Sequence, residues 1–492
     1  MFKVMRSRLN LFYYAVLLIL VGAGLALRLV DLNDPPLDFS ATRQLRSAII
    51  ARGMYYQANP QFTELERELA MRYWNRMERL EPPLLEVLVA QTYRLIGSEQ
   101  FWVVRLYSSL FWLLGGGVLF FWIKHSLSAP AALATLGIYF FLPFSVFASR
   151  SFQPDPLMVS LVILSGYSLY RWSEQSTSLP WAGLAGISAG LALFVKPMAA
   201  FSVGGLMAGV LVWNLSQRRS LTGRRDQRFV WGSFAMIILL TALPVGLYYL
   251  FGNRAQVTDS FIPWTVLARW QDVLGPSFYM RWLIRLSSLT GLSLFFIAPI
   301  GPWLLKGRQR ALLLGWWAGY LALGIFFPYH IVTHGYYHLP LIPLLCLSLA
   351  PVADLVITRA RESGMLARLV LVGLILVAFF YMAWMARSIL IKQDFRHAEV
   401  FWQSVGEQVP ADSRVIGYSQ DYGLQLIYYG WRAMDLLPAG ISGEEFQNRA
   451  SGYDYYLSTD ANQESASLQE YLASNYPVHA AGDGFIIYDI QP

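Results

Sequence analysis

Two aspartates and a lysine, each beside prolines, are the residues best suited to chemistry in this chain. Asp38 lies in Asn33-Asp34-Pro35-Pro36-Leu37-Asp38-Phe39-Ser40, and Asp155 in Ser149-Arg150-Ser151-Phe152-Gln153-Pro154-Asp155-Pro156. Lys196 is followed directly by Pro197. A carboxylate can take the proton of an attacking hydroxyl. An ammonium can stabilise a departing phosphate whose charge grows in the transition state. Arg150, Arg43 and Arg46 are further cations for that role, because a guanidinium grips phosphate with two hydrogen bonds. Each residue also has a plainer reading. Asp38 could cap a helix, Asp155 could serve its turn, and Lys196 could lift its charge to the headgroups.

A fourth cluster is Tyr329-His330, His334 and Tyr336-Tyr337-His338, followed by Pro340; three of the six histidines fall within it. His334 and His338 are four apart, the spacing of a metal pair on a helix. Gly335 and Pro340 argue against a regular helix there, so the segment reads as an aromatic and histidine belt at a membrane interface or as contact with a polar substrate.

The elements that must position these residues are membrane helices. Of 492 residues, 55% are hydrophobic and 14% charged, against about 25% charged in soluble domains. A bilayer must solvate such a surface. Cys346 is the only cysteine, which excludes an intrachain disulfide and a multi-thiolate zinc site and leaves it as apolar filler. At about 20 apolar residues per crossing, spans are expected near 11–30, 101–123, 130–149, 156–171, 180–196, 198–213, 229–251, 283–305, 311–328, 339–357 and 369–387. The first follows the basic run Met1 to Leu9 with no small-residue cleavage site after it, and reads as a retained helix.

Basic residues test the orientation. With the N-terminus cytoplasmic, the inner loops hold Lys124 and His125; Arg171; Arg218, Arg219, Arg224, Arg225 and Arg228; Lys306, Arg308 and Arg310; and Arg359, Arg361 and Arg368. The net charge of +7 is thus spent in short loops between spans, and no nucleic-acid partner is expected. The outer face receives 31–100, 252–282, 329–338 and the tail. The expected organisation is a membrane domain over 1–388, whose first outer loop is 31–100, and a soluble extracytoplasmic α/β domain over 389–492.

Within that loop, Leu65, Leu69, Tyr73, Met77 and Leu80 recur every three or four residues among charged neighbours. This predicts an amphipathic helix over 62–80, lying in the membrane interface. A second helix is expected over 40–53, with Arg43 and Arg46 on one face. In the tail, strands are expected at 414–419, 453–458 and 485–490, and helices at 395–408, 420–430 and 463–474, which favours a largely parallel sheet.

The order of these motifs resembles the membrane glycosyltransferases of the GT-C superfamily, on the branch of protein O-mannosyltransferases and the lipid A aminoarabinose transferase. The resemblance spans about the first 390 residues. It rests on Arg28 and then Pro36-Leu37-Asp38; on Glu81-Pro82-Pro83-Leu84, leading into the second span; and on Ile96-Gly97 and Arg105. It continues through Ser149-Arg150 with Asp155, Lys196-Pro197 and Tyr336-Tyr337-His338-Leu339-Pro340. It implies an inverting transferase with a polyprenyl-phosphate sugar donor. Asp38 would be the base or essential first-loop acid, Asp155 the second acid, assisting acceptor, sugar or metal, and Lys196 with nearby arginines the phosphate holders. His334, Tyr337, His338 and Glu81 would line the substrate cavity. Two departures stand out: Phe39 replaces a second acid after Asp38, and Glu81 stands where a lysine often precedes the prolines. Metal dependence varies in the superfamily, so a divalent cation is left open as cofactor. The acceptor stays open among glycan, lipid and protein. The alternative is a transporter or flippase of lipid-linked sugars, which would favour inverted repeats and mid-span ionisable groups; neither is seen in the sequence.

Overall fold

The computed structural model describes residues 2–78, 81–174, 178–217, 224–251 and 262–491, with the backbone alone for 2–9, 217 and 224–227. Arg79, Leu80, Arg218, Arg219 and the first part of the 252–282 segment, 252–261, lie outside the described residues. The helices run α1 (Phe2–Arg28), α2 (Ala41–Gln57), α3 (Glu64–Arg76), α4 (Leu84–Ile96), α5 (Trp102–Ser126), α6 (Ala129–Phe141), α7 (Pro143–Ser149), α8 (Asp155–Glu174), α9 (Leu179–Val195), α10 (Ala199–Gln217) and α11 (Arg224–Phe251). Helices at Pro276–Thr290, Leu292–Ile297, Gly307–Phe326, Leu341–Glu362 and Met365–Lys392 follow.

Contacts divide the chain into two compact units that do not follow chain order. The first is Met1–Leu32, Arg79–Leu84 and Val104–Lys392; the second is Asn33–Glu78, Leu85–Val103 and Gln393–Pro492.

The first unit is a helical membrane bundle. Each expected span has a helical counterpart. Among the described residues six helices are long and apolar enough to cross a bilayer, and up to eight if each of two bent pairs is one span. α8, α9 and Gly307–Phe326 account for the other expected spans, α9 being a shorter apolar helix. The α6–α7 pair bends by 63°. Pro143 explains the break, since it has no N–H for the carbonyl of Tyr139. Trp112 Nε1 and Ser145 Oγ donate to that carbonyl instead, at 3.0 and 2.9 Å. In a hydrocarbon environment such a freed carbonyl must find a partner within the protein.

α10 crosses Gly307–Phe326 backbone to backbone. A side chain at Gly205 would meet the carbonyl of Gly315, and one at Gly315 the carbonyl of Gly205. Gly209 and Gly319 stand equally close to the carbonyls of Ala311 and Phe201. Small residues four apart on both helices permit this approach, which replaces the missing hydrophobic drive between helices in lipid. By contrast Met365–Lys392 turns Leu369, Val377, Phe380 and Trp384 outward, an apolar surface suited to lipid.

The second unit joins the first outer loop to the tail. The tail carries β1 (Val415–Tyr418), β2 (Met434–Leu436), β3 (Tyr455–Ser458), β4 (Val478–Gly482) and β5 (Phe485–Asp489) in the order β2-β1-β3-β5-β4. The three expected strands and three expected helices are present. The sheet is mixed and not largely parallel: β1 runs parallel to β2 and β3, whereas β5 is antiparallel to β3 and β4. The unforeseen β4 makes the difference. It joins β5 through the turn at Asp483-Gly484, where Gly484 has φ 86, and a hairpin can only be antiparallel. Ile416, Tyr418, Phe446, Tyr456, Leu468 and Leu472 form the core beside the sheet.

In the loop, Thr63 and Glu66 form a reciprocal capping box that starts α3. Much of the apolar face expected in the membrane interface is covered by protein: Leu69, Ala70 and Tyr73 are buried, and Trp74 packs against Gly53 of α2, whereas Leu65 is exposed. The Pro82-Pro83 element leads not into a span but into α4, a short amphipathic helix burying Leu85, Val89 and Tyr93. The next span begins at Trp102.

Candidate functional site

In the first unit the structure joins two of the expected residues. Asp155 stands in the first turn of α8 and Lys196 caps the C-terminus of α9. Each charge complements its helix dipole. Lys196 Nζ donates to both carboxylate oxygens of Asp155, at 3.0 and 2.9 Å, with both side chains almost fully buried. The ammonium also lies 4.5 Å from the ring centre of Tyr336 and 5.8 Å from that of Tyr337. An ammonium is attracted to an aromatic face and has three hydrogen-bond donors.

The arginines around this pair are anchors. Arg28, fully buried, donates to Ser149 Oγ at 2.7 Å and to the carbonyls of Gly24 and Phe140. It staples α1 to the α6–α7 break. Arg105 donates to the carbonyls of Asp31 and Leu32, and Arg150 to those of Val30 and Asp31. Two guanidinium groups thus satisfy carbonyls left open where α1 ends. Arg150, expected to grip phosphate, spends one bond from each terminal nitrogen on the backbone here.

The aromatic segment is no metal helix. Gly335–His338 is a single 3-10 turn. His338 is fully buried and bonded on both ring nitrogens, to Tyr320 Oη and the carbonyl of Ile331, each at 2.7 Å. This corrects its placement in the cavity wall, for its ring braces the turn and has no nitrogen left for substrate. His334 sits in a ring stack, its centre 5.0 Å from that of His330 and 6.3 Å from that of Tyr337. Arg269, which the sequence reading missed, lies over Tyr329 of this stack at 4.9 Å. Glu81 is half-buried. Among the described residues no three His, Cys, Asp or Glu side chains gather as a metal site.

In the second unit Asp38 is not the helix cap. Ser40, in left-handed backbone at φ 50, occupies that position. Asp38 is half-buried and accepts from Gln44 Nε2 at 3.0 Å. The same nitrogen reaches the carbonyls of Pro36 and Phe39 at 3.2 and 2.8 Å, so one amide of α2 gathers the whole turn. Gln44 was missed because an isolated glutamine carries no motif. Arg43 lies in the first turn of α2. Arg46, also expected at the phosphate, donates through Nε and Nη2 to the carbonyl of Glu78 and so clamps the backbone there.

Known proteins place this architecture. Residues 80–249 match the family model described as dolichyl-phosphate-mannose-protein mannosyltransferase. That stretch includes Glu81, Arg105, Arg150, Asp155 and Lys196, and leaves Asp38 outside. None of the curated proteins matches the chain. Among solved structures, ArnT from Cupriavidus metallidurans in the apo state is similar over 98% of each chain, with TM-score 0.59 and 14% identity. The same protein bound to undecaprenyl phosphate gives TM-score 0.57 and 15% identity over 98% of each chain. The oligosaccharyltransferase of Archaeoglobus fulgidus gives 0.55 and 12% over 95% of this chain and 73% of that one. The chain therefore has the GT-C fold, as the sequence resemblance implied. Family model and fold together indicate a membrane glycosyltransferase.

Proposed function

We propose that this protein moves a sugar from a polyprenyl-phosphate donor to an acceptor hydroxyl, with inversion, on the extracytoplasmic side of the membrane. The N-terminus is then cytoplasmic and the tail extracytoplasmic, the orientation that the basic loops favour. The observation that carries the reading is the buried Asp155–Lys196 pair against Tyr336, in a fold that ArnT uses while bound to undecaprenyl phosphate. Asp38 takes the proton as the acceptor oxygen attacks the anomeric carbon. The bond from that carbon to the phosphate oxygen breaks, and polyprenyl phosphate leaves with the electron pair. Lys196 keeps its proton and donates a hydrogen bond to a phosphate oxygen, while Asp155 fixes its direction. Arg43 and Arg269 supply further positive charge, and Tyr337 and His334 line the approach. Arg28, Arg105, Arg150 and Arg46 hold backbone in place.

The test is transfer of labelled sugar from a polyprenyl-phosphate donor by the full chain in proteoliposomes, wild type against Asp38→Asn and Lys196→Gln. Loss of transfer in both, with normal membrane insertion, is expected. Full activity in both would overturn the assignment.

A further inference from the structure

Helix α2 begins just after Asp38 and carries Gln44, which binds the Asp38 turn. Two turns further on it carries Arg52. Arg52 Nε meets both oxygens of Glu99, at 3.2 and 2.9 Å, and Nη2 adds a bond at 3.1 Å. Its Nη1 donates to the carbonyl of Tyr428 in the tail. The guanidinium lies 4.0 Å from the ring of Tyr428 and 4.6 Å from that of Trp431. Tyr428 Oη closes the ring of contacts on Glu99 at 2.7 Å. Burial opposes the charge of Arg52, but Glu99 outweighs it and holds the guanidinium above the ordinary arginine value. Burial pushes the Tyr428 hydroxyl well above its ordinary value, so Tyr428 is the donor to Glu99.

Further bonds support the same seam. Thr42 Oγ1 donates to Asp421 at 3.2 Å, Tyr73 Oη to the carbonyl of Trp431 at 2.6 Å, and Arg76 to Asp435 at 2.6 Å. Asp421, Tyr422 and Gly423 are consecutive left-handed residues. Non-glycine residues hold that backbone only where surroundings fix it. The tail contacts both ends of α2, and α2 is buried along most of its length.

We propose that Arg52 is a positioning residue, and that the tail, latched to it through Tyr428 and Trp431, holds α2 so that Gln44 presents the Asp38 carboxylate. This rests on the reading of Asp38 as the acid of the reaction. The tail is then part of the catalytic apparatus although it supplies no reacting group. Replacing Arg52 leaves the half-buried Glu99 without this cation and removes the bond to the Tyr428 carbonyl. A lysine cannot restore the fork of bonds or the stacking.

The sole cysteine, Cys346, is buried, so a nitroxide can be attached selectively at Ser40→Cys or, as a control, at exposed Ser474→Cys. In the full chain, Arg52→Gln and Tyr428→Ala are expected to turn the immobile spectrum at position 40 into a mobile one, with position 474 unchanged. Transfer from the polyprenyl-phosphate donor should fall at least tenfold in kcat with donor KM within twofold. The charge exchange Arg52→Glu with Glu99→Arg should recover part of both. An unchanged spectrum at position 40 in Arg52→Gln overturns the latch. So does a rise in donor KM without loss of kcat, or a spectrum at 474 that loosens equally, which would mark simple unfolding. If instead Asp38→Asn keeps full transfer while the label at 40 responds, the reading of Asp38 fails and the mechanical link survives.

Discussion

The two candidate acids are built in opposite ways. Asp155 sits at a helix end in the membrane bundle, almost fully buried, its two oxygens both on Lys196. Asp38 sits on an irregular turn, half-buried, with one amide of Gln44 on one oxygen. A carboxylate that accepts two bonds from an ammonium fixes the direction of its partner. The sequence offers them as a pair of equals, the structure gives them different settings, and the proposed mechanism gives Asp155 the orienting role and Asp38 the proton transfer.

The contrast is most severely tested by substitution. Asp38→Asn should lower transfer by about 10²–10⁴-fold, the usual worth of a general base, with the thermal midpoint within a few degrees of wild type. Asp155→Asn should act differently: it strands a buried ammonium, a loss of about 3–5 kcal/mol when one partner of a buried pair goes, seen as a lowered melting temperature together with lost activity. The double variant Asp155→Leu with Lys196→Met should regain much of that stability and none of the transfer, which separates the pair's structural share from its chemical one. Gly205→Val tests the bundle that positions the pair; overpacking the crossing should destabilise by about 1–3 kcal/mol, read by thermal unfolding in detergent. The smallest effect is expected for Arg150→Lys. It keeps the charge but loses the fork on Val30 and Asp31, so donor KM should stay within twofold while stability drops slightly. A large KM rise there would return Arg150 to the phosphate.

Much of this was legible along the chain, and the reasons differ by residue. Spans announce themselves because a bilayer demands long apolar runs, and Thr63 with Glu66 or the Pro82-Pro83 stop act over three or four residues. The α6–α7 bend at Pro143 was missed, since one span was expected over 130–149. The latch of Arg52 to Glu99 and Tyr428 could not be read, because its partners are 47 and 376 residues away. The same holds for β4, whose Val478–Gly482 run is exposed and lacks an apolar alternation.

The sequence by itself settled that this is a bundle of membrane helices with a small α/β tail, since composition and periodicity are local properties that the solvent reads directly. It also singled out Asp38, Asp155 and Lys196 by residue type. Only the tertiary structure decided what each cation does. Arginines that look interchangeable in the chain become backbone clamps when open carbonyls stand within reach, as at Val30, Asp31 and Glu78. Lys196 instead meets a carboxylate and an aromatic face. Those carbonyls and faces come from distant segments, and the position of a distant partner is written in packing and not in spacing.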